Sequence, residues 1–246
     1  MRVGLFVTCL VDMMRPSIGM AALKLLERAG YDVVVPATQT CCGQPGYNSG
    51  DRNSARALAE KVLEEFEGCD YLVAPSGSCG GMIRTHYPDL FRGEPALAAR
   101  IDRLAAKTYE LTDFLVKVAK VRQVPGTFDG TVTYHDSCSG LREIGVKTQP
   151  RELLAMVPGL TLKEMRDSET CCGFGGSFSV KMPEISGRLL EDKLRAVQAT
   201  AASVVTSLDL SCLTHLAGGA KRAGLGHLKF CHLAEVVAQA LRPGAA

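Results

Sequence analysis

Eight of the ten cysteines in this chain fall into a frame that occurs twice. Cys9, the pair Cys41–Cys42 followed by Gly43, and Cys79 make the first set. Cys138, the pair Cys171–Cys172 followed by Gly173, and Cys212 make the second. Matching cysteines are offset by 129, 130 and 133 residues, and 31 residues separate lone cysteine from pair in the first set against 32 in the second. Agreement of this kind marks a duplicated unit. Four thiolates per unit suit an iron–sulfur cluster or a tetrahedral zinc. The chain contains no C-x-x-C, which counts against a zinc knuckle and against a disulfide oxidoreductase. Iron–sulfur binding is therefore the favoured chemistry, zinc the alternative, and thiol–disulfide exchange or inert burial the least favoured.

Adjacent side chains on an extended segment point to opposite faces, so the backbone must turn if both thiolates of a pair are to enter one crevice. Gly43 and Gly173 supply that turn, because glycine reaches positive φ without a steric penalty. Cys69 and Cys231 fall outside the repeat and read as core thiols. His135, three residues before Cys138, reads first as a satisfied structural histidine, with ligation or a hydrogen bond to cluster sulfur as the less favoured role. The run Gly173–Gly176 lacks a phosphate-loop spacing and is better explained as glycines beside a metal crevice.

The elements that position these residues repeat as well. Val3–Thr8 and Thr131–Tyr134 read as buried strands ahead of Cys9 and Cys138, and Tyr71–Ala74 and Ser203–Thr206 as strands ahead of Cys79 and Cys212. Apolar residues at helical spacing, Ala55 to Phe66 and Ile185, Leu189, Leu190, Leu194 and Val197, predict a crossover helix in each unit. Tyr109–Leu115 and Cys231–Val237 read as terminal helices. Strands alternating with helices imply an α/β fold of two pseudo-repeated βαβ units with small parallel sheets, residues 1–125 and 126–246. The boundary is drawn in the Pro- and Gly-containing stretch Val121–Gly130. Both cysteine sets then follow the C-terminal ends of strands, the edge where open α/β sheets bind ligands.

Composition sets the outer limits. With 46% hydrophobic and 22% charged residues among 246, the chain is globular rather than disordered. A net charge of +2, well dispersed, favours neither nucleic acid nor a membrane surface. The apolar stretch Val3–Val11 is far short of a bilayer span. Membrane insertion is not expected, and a cleaved signal peptide fits the segment poorly, so a cytoplasmic protein is expected; in that reducing compartment ten thiols suggest metal binding or redox chemistry rather than disulfides.

The two CCG triplets, Cys41-Cys42-Gly43 and Cys171-Cys172-Gly173, together with their flanking cysteines, resemble the cysteine-rich or CCG-domain family, whose repeat is a cysteine, a CCG triplet and a C-x-x-C. The family includes iron–sulfur subunits of heterodisulfide reductase, glycolate oxidase and glycerol-3-phosphate dehydrogenase. The first cysteine of the final C-x-x-C would fall at Ser76 and Asp209, leaving four cysteines per repeat. The resemblance thus implies a four-iron four-sulfur cluster, one or two per chain, rather than a five-cysteine non-cubane one, with Ser76 and Asp209 lining the sites. No ferredoxin-like cysteine run precedes Cys9. The short two-repeat form, with Cys41–Gly50 and His135–Arg142, is most similar to the lactate-utilisation branch of the family. That branch implies an electron-transfer subunit, with no catalytic residue of its own, in a multi-subunit complex oxidising L-lactate to pyruvate. Its partners would be the other subunits of that complex. The alternatives are a subunit of a heterodisulfide reductase or glycolate oxidase type, or a zinc-binding assembly module.

Overall fold

The computed structural model describes residues 1–241, so residues 242–246 of the second expected unit lie outside the described part. β1 (Arg2–Leu5), β2 (Asp32–Val34), β3 (Tyr71–Ala74) and β4 (Thr108–Glu110) build one sheet in the order β2-β1-β3-β4. β5 (Gly130–Tyr134), β6 (Leu160–Leu162), β7 (Val204–Ser207) and β8 (Lys229–His232) repeat that order as β6-β5-β7-β8. Every pairing is parallel, with Val3 opposite Val33 and Tyr71, and Val132 opposite Leu162 and Val204. The α/β class with two repeated parallel units is the observed architecture.

The crossover helices form where the apolar spacing places them. Helix Arg52–Phe66 opens at Asp51, whose carboxylate accepts the Ser54 N–H at 3.0 Å, and buries Ala55, Ala59, Val62, Leu63 and Phe66. Helix Pro183–Ala199 corrects one assignment, since Ile185 is 51% exposed. Counting back four from Leu190 lands on Ser186, which faces inward and donates its hydroxyl to the Gly173 carbonyl at 2.7 Å.

The terminal helices are also corrected. Tyr109 and Cys231 lie in β4 and β8, and the helices begin only at Leu111 and Leu233. Strands of three and four residues are too short to show a two-residue period, and it is pairing with β3 and β7 that holds them extended. Glu110 and His232 end these strands and cap the helices behind them. The Glu110 carboxylate accepts the Thr112 and Asp113 N–H groups at 2.7 and 3.3 Å, and His232 Nδ1 accepts the Ala234 N–H at 3.1 Å.

The two sheets share one core. Leu5, Leu26 and Phe114 pack in the same apolar cluster as Tyr134, Leu208 and Leu233. Helix Ser17–Arg28 lies on helix Leu233–Gln239, and helix Gly77–Gly81 lies on helix Cys138–Arg142. At that second crossing a Cβ on Gly77 would stand 2.7 Å from Gly140 Cα, so only glycine permits the approach. Among the described residues no helix is long and apolar enough to cross a membrane.

Candidate metal centres

In both sheets the strand order reverses between the first and third strands of the unit, and ligands gather outside the carboxyl ends at such a point. Cys9 opens helix Cys9–Met14 behind β1, and Cys79 sits in helix Gly77–Gly81 behind β3. Cys138 opens helix Cys138–Arg142 behind β5, and Cys212 lies in the first turn of helix Leu210–Arg222 behind β7. The residue before Cys9 and before Cys138 caps its helix: the Thr8 hydroxyl accepts the Val11 N–H, and the Ser137 hydroxyl accepts the Gly140 N–H. Thr8 does so at φ 75, a costly conformation for a β-branched residue that fixes the direction in which Cys9 leaves the strand.

The paired cysteines turn on their glycines as the spacing predicts. Gly43 has φ 83 and Gly173 φ 92, and their N–H groups donate to Cys41 Sγ at 3.4 Å and Cys171 Sγ at 3.3 Å. In the first half Cys9 Sγ stands 3.6 Å from Cys41 Sγ, and Cys42 Sγ 3.5 Å from Cys79 Sγ. In the second half donor atoms of Cys172, Cys212 and His135 all lie within 4.8 Å of one another. All eight cysteines line one cleft of about 400 Å³ between the halves.

Crowding makes the thiols unequal. Cys41 is pulled down to about 2 by hydrogen bonds from Cys42 and Cys9, and Cys171 to about 2 by those from Cys138 and Cys172. The protons stay on the neighbours: Cys9 and Cys42 are raised chiefly by the bond to Cys41, and Cys138 and Cys172 by the bond to Cys171. Cys212 comes down to about 6 through the Cys172 thiol, against the cost of burial, with His135 assisting. Four thiolates cannot coexist here without a cation, and a metal entering either site would displace the held protons.

The donor set fits a metal centre. A single zinc with four sulfurs at about 2.3 Å requires every sulfur pair to lie about 3.8 Å apart. In the first half the close contacts come as two pairs, and among the described residues the one group of three donors within 4.8 Å is His135, Cys172 and Cys212.

Ser76 and Asp209, expected to line the sites, do line the cleft, but they spend their polar atoms on each other. Asp209 Oδ1 accepts the Ser76 hydroxyl at 2.7 Å and the Ser78 N–H and hydroxyl at 3.2 and 2.9 Å, and Oδ2 accepts the Ser137 hydroxyl. This buried carboxylate ties the two halves together beside the thiols. Ser78 and Ser137 carry no signal in the sequence, since no local pattern pairs a serine with an acid 131 residues away. Cys69 is buried in the first half's core, while Cys231 on β8 is only half-buried, and neither lines the cleft. Phe174, Gly175 and Gly176 border the thiols, as glycines beside a crevice would. His135 departs from its expected role: it is fully buried and neither ring nitrogen has a hydrogen-bond partner. Sequence neighbours could not show this, because the groups around the ring come from the second cysteine pair and from the helix behind β7.

Comparison with known proteins matches the same frame. The cysteine-rich domain family CCG matches residues 3–84 and 132–217. The chain is 45% identical over 237 residues to lactate utilization protein A of Bacillus cytotoxicus, covering 96% of this chain and 98% of that protein. It is 44% identical over 237 residues to lactate utilization protein A of Bacillus subtilis, covering 96% and 99%. In fold it is similar to a hypothetical protein from Helicobacter pylori, with a TM-score of 0.68 at 12% identity. That likeness covers 99% of this chain, which spans about half of the other (49%).

Proposed function

The chain belongs to the CCG cysteine-rich domain family, and from that premise we propose that it is an iron–sulfur electron-transfer subunit of a complex oxidising L-lactate to pyruvate. The observation that carries the metal part is the convergence of two four-thiol sets on one cleft. The lactate part rests on the relatives' name. In this reading residues 1–125 and 126–246 are each one cysteine-rich domain. Cys9, Cys41, Cys42 and Cys79 hold one four-iron four-sulfur cluster, and Cys138, Cys171, Cys172 and Cys212 hold another. The clusters supply one-electron chemistry, and the protein sets their potential.

The cleft supports a relay rather than a dehydrogenase. Lactate oxidation removes a hydrogen from carbon and a proton from oxygen, which calls for a free base or a hydride acceptor. The carboxylate in the cleft, Asp209, is already engaged by three serine hydroxyls and an N–H. Partners are supported by exposed apolar side chains that follow each thiol set in the chain: Leu10, Met13 and Met14 after Cys9, and Val180, Met182 and Ile185 after Cys172. A cytoplasmic setting suits ten cysteines present as free thiols.

One observation favours a second reading. The His135–Cys172–Cys212 trio is compact enough for a single zinc, which would make the second half a zinc-stabilised assembly module. Metal analysis after anaerobic purification separates the two. Iron with acid-labile sulfide supports the relay, and zinc alone overturns it. The loaded chain by itself is expected to show no L-lactate turnover, which should arise only with its partner subunits; turnover by the isolated chain would also overturn the relay.

A further inference from the structure

Positions around the first thiol set have counterparts around the second, and three of these differ in kind: Phe6 and His135, Val62 and Lys193, and Ser76 and Asp209, the last two bonded to each other between the halves. The Phe6 N–H donates to the Val73 carbonyl at 2.9 Å and the His135 N–H to the Thr206 carbonyl at 2.9 Å, which fixes Phe6 and His135 as equivalent positions. Both are fully buried. Phe6 packs edge-on against Phe66 with ring centroids 6.0 Å apart. His135 instead brings a polar ring to Cys172 and Cys212, with its donor atom inside the 4.8 Å trio. Either neutral tautomer of imidazole carries one N–H, and burying that group unpaired is costly. Among the described residues neither ring nitrogen has a hydrogen-bond partner, sulfur included, and the nearest groups able to accept from it are the Cys172 and Cys212 sulfurs within the 4.8 Å trio.

The second difference has the same sign. A Cβ on Gly43 would meet Ala55 and Leu58, and one on Gly173 would meet Ser186 and Leu189, so Val62 on the first crossover helix corresponds to Lys193 on the second. Lys193 is 2% exposed and donates to the Asp167 and Ser168 carbonyls at 2.5 and 3.2 Å. The second thiol set thus has a hydrogen-bond donor and a buried ammonium in its surroundings where the first has a phenyl ring and an isopropyl group.

We propose that His135 donates a ring N–H to the Cys212 sulfur and thereby makes the second centre easier to reduce than the first. This rests on the iron–sulfur reading above. Four thiolates already complete the ligand set of the second half, so the imidazole is not needed to hold iron. A donor to a ligating sulfur withdraws electron density and stabilises the added negative charge of the reduced state, which raises the potential. Lys193 acts in the same direction through its charge, while the Asp209 carboxylate acts against both, its charge spread over three serine hydroxyls and an N–H. With both sets on one cleft, electrons entering at the first centre would settle at the second.

The test is a redox titration of the full chain, reconstituted anaerobically with iron and sulfide and followed by electron paramagnetic resonance. Wild type is expected to show two midpoint potentials, the higher belonging to the signal that survives Cys42→Ser. His135→Phe, which copies the first half, is expected to move that higher potential down toward the other with iron and sulfide content unchanged. His135→Gln, which keeps an N–H donor, should hold it closer to wild type. His135→Leu serves as a second donor-less variant if the phenylalanine protein does not fold. An unmoved higher potential in the donor-less variants overturns the proposal. So does loss of second-half iron from all of them, since His135 would then be a ligand. A wild-type chain that takes up no iron overturns the cluster reading itself and this inference with it.

Discussion

The two halves share strand order, register and thiol frame, yet the side chains packed around that frame have diverged. Beside the first set stand Phe6, Val62 and Tyr87, whose hydroxyl donates to the Cys42 carbonyl at 2.9 Å. Beside the second stand His135 and Lys193. At the end of the fourth strand the first half buries Glu110 and the second buries His232, each capping the next helix. What duplication has kept is the backbone that aims the cysteines, including both positive-φ glycines. What it has let drift is the lining, where a change of side chain alters electrostatics without moving a ligand.

The largest test of that equivalence removes one thiol from each half. Cys42→Ser and Cys172→Ser should each cost about half of the chain's iron and sulfide, because a buried ligand at a cluster corner has no spare donor to replace it. Cys69→Ser, in the core but away from the cleft, should keep both. Iron and sulfide per chain are the measurement. Undiminished content in either paired-cysteine variant would show that its half is not a centre.

A smaller effect separates the fourth-strand caps by pH. Burial raises Glu110 from an ordinary 4.5 to about 8, against the pull of its bonds from Thr112 and Asp113. The unfolded chain ionises Glu110 near 4.5 while the folded one holds the proton, so its contribution to stability is full below pH 4.5 and declines up to about pH 8. At about 1.4 kcal/mol per pH unit the decline is on the order of 5 kcal/mol at most. His232 is lowered from 6.5 by burial, so the unfolded chain takes up a proton that the folded one refuses, and stability falls as pH drops below 6.5. The halves therefore oppose each other. Denaturant midpoints measured across pH 5 to 8 should lose their downward slope in Glu110→Gln, and a slope equal to wild type would contradict the assignment.

The smallest difference lies at the two turn glycines. Alanine at either must adopt positive φ, at about 1–2 kcal/mol. At Gly43 the new Cβ would stand 3.2 Å from the Ala55 carbonyl oxygen, a tight contact, whereas at Gly173 it would stand 2.5 Å from the Ser186 oxygen, a clash with backbone. Gly173→Ala is thus expected to lower the melting temperature more than Gly43→Ala. Equal losses would mean that helix Pro183–Ala199 yields as readily as its counterpart.

How far the sequence reaches can be seen residue by residue. The doubled cysteine frame, the parallel strands ahead of the lone cysteines and the crossover helices follow from spacing alone, because period and offset are properties of a one-dimensional string. The turn at Gly43 and Gly173 follows too, since two adjacent thiols sharing a crevice leave the backbone little choice. Spacing misplaces Ile185 because two neighbouring residues fit the helical stripe almost equally well, and only packing on Gly173 selects Ser186. β4 and β8 are hidden because their extended form comes from the neighbouring strand, not from their own three or four residues.

Tertiary structure alone decided how the halves meet. No local pattern announces that Ser76, Ser78 and Ser137 all donate to Asp209, that Gly77 passes against Gly140, or that both thiol sets open on one cleft. The same holds for His135, which its neighbours in sequence leave looking like any buried histidine until the ring is found without a partner beside two sulfurs. Composition and spacing specify which groups a chain carries and in what rhythm. Hydrogen bonds and orphaned donors belong to pairs of groups far apart in sequence, and those pairs exist only once the two sheets have closed on a shared core.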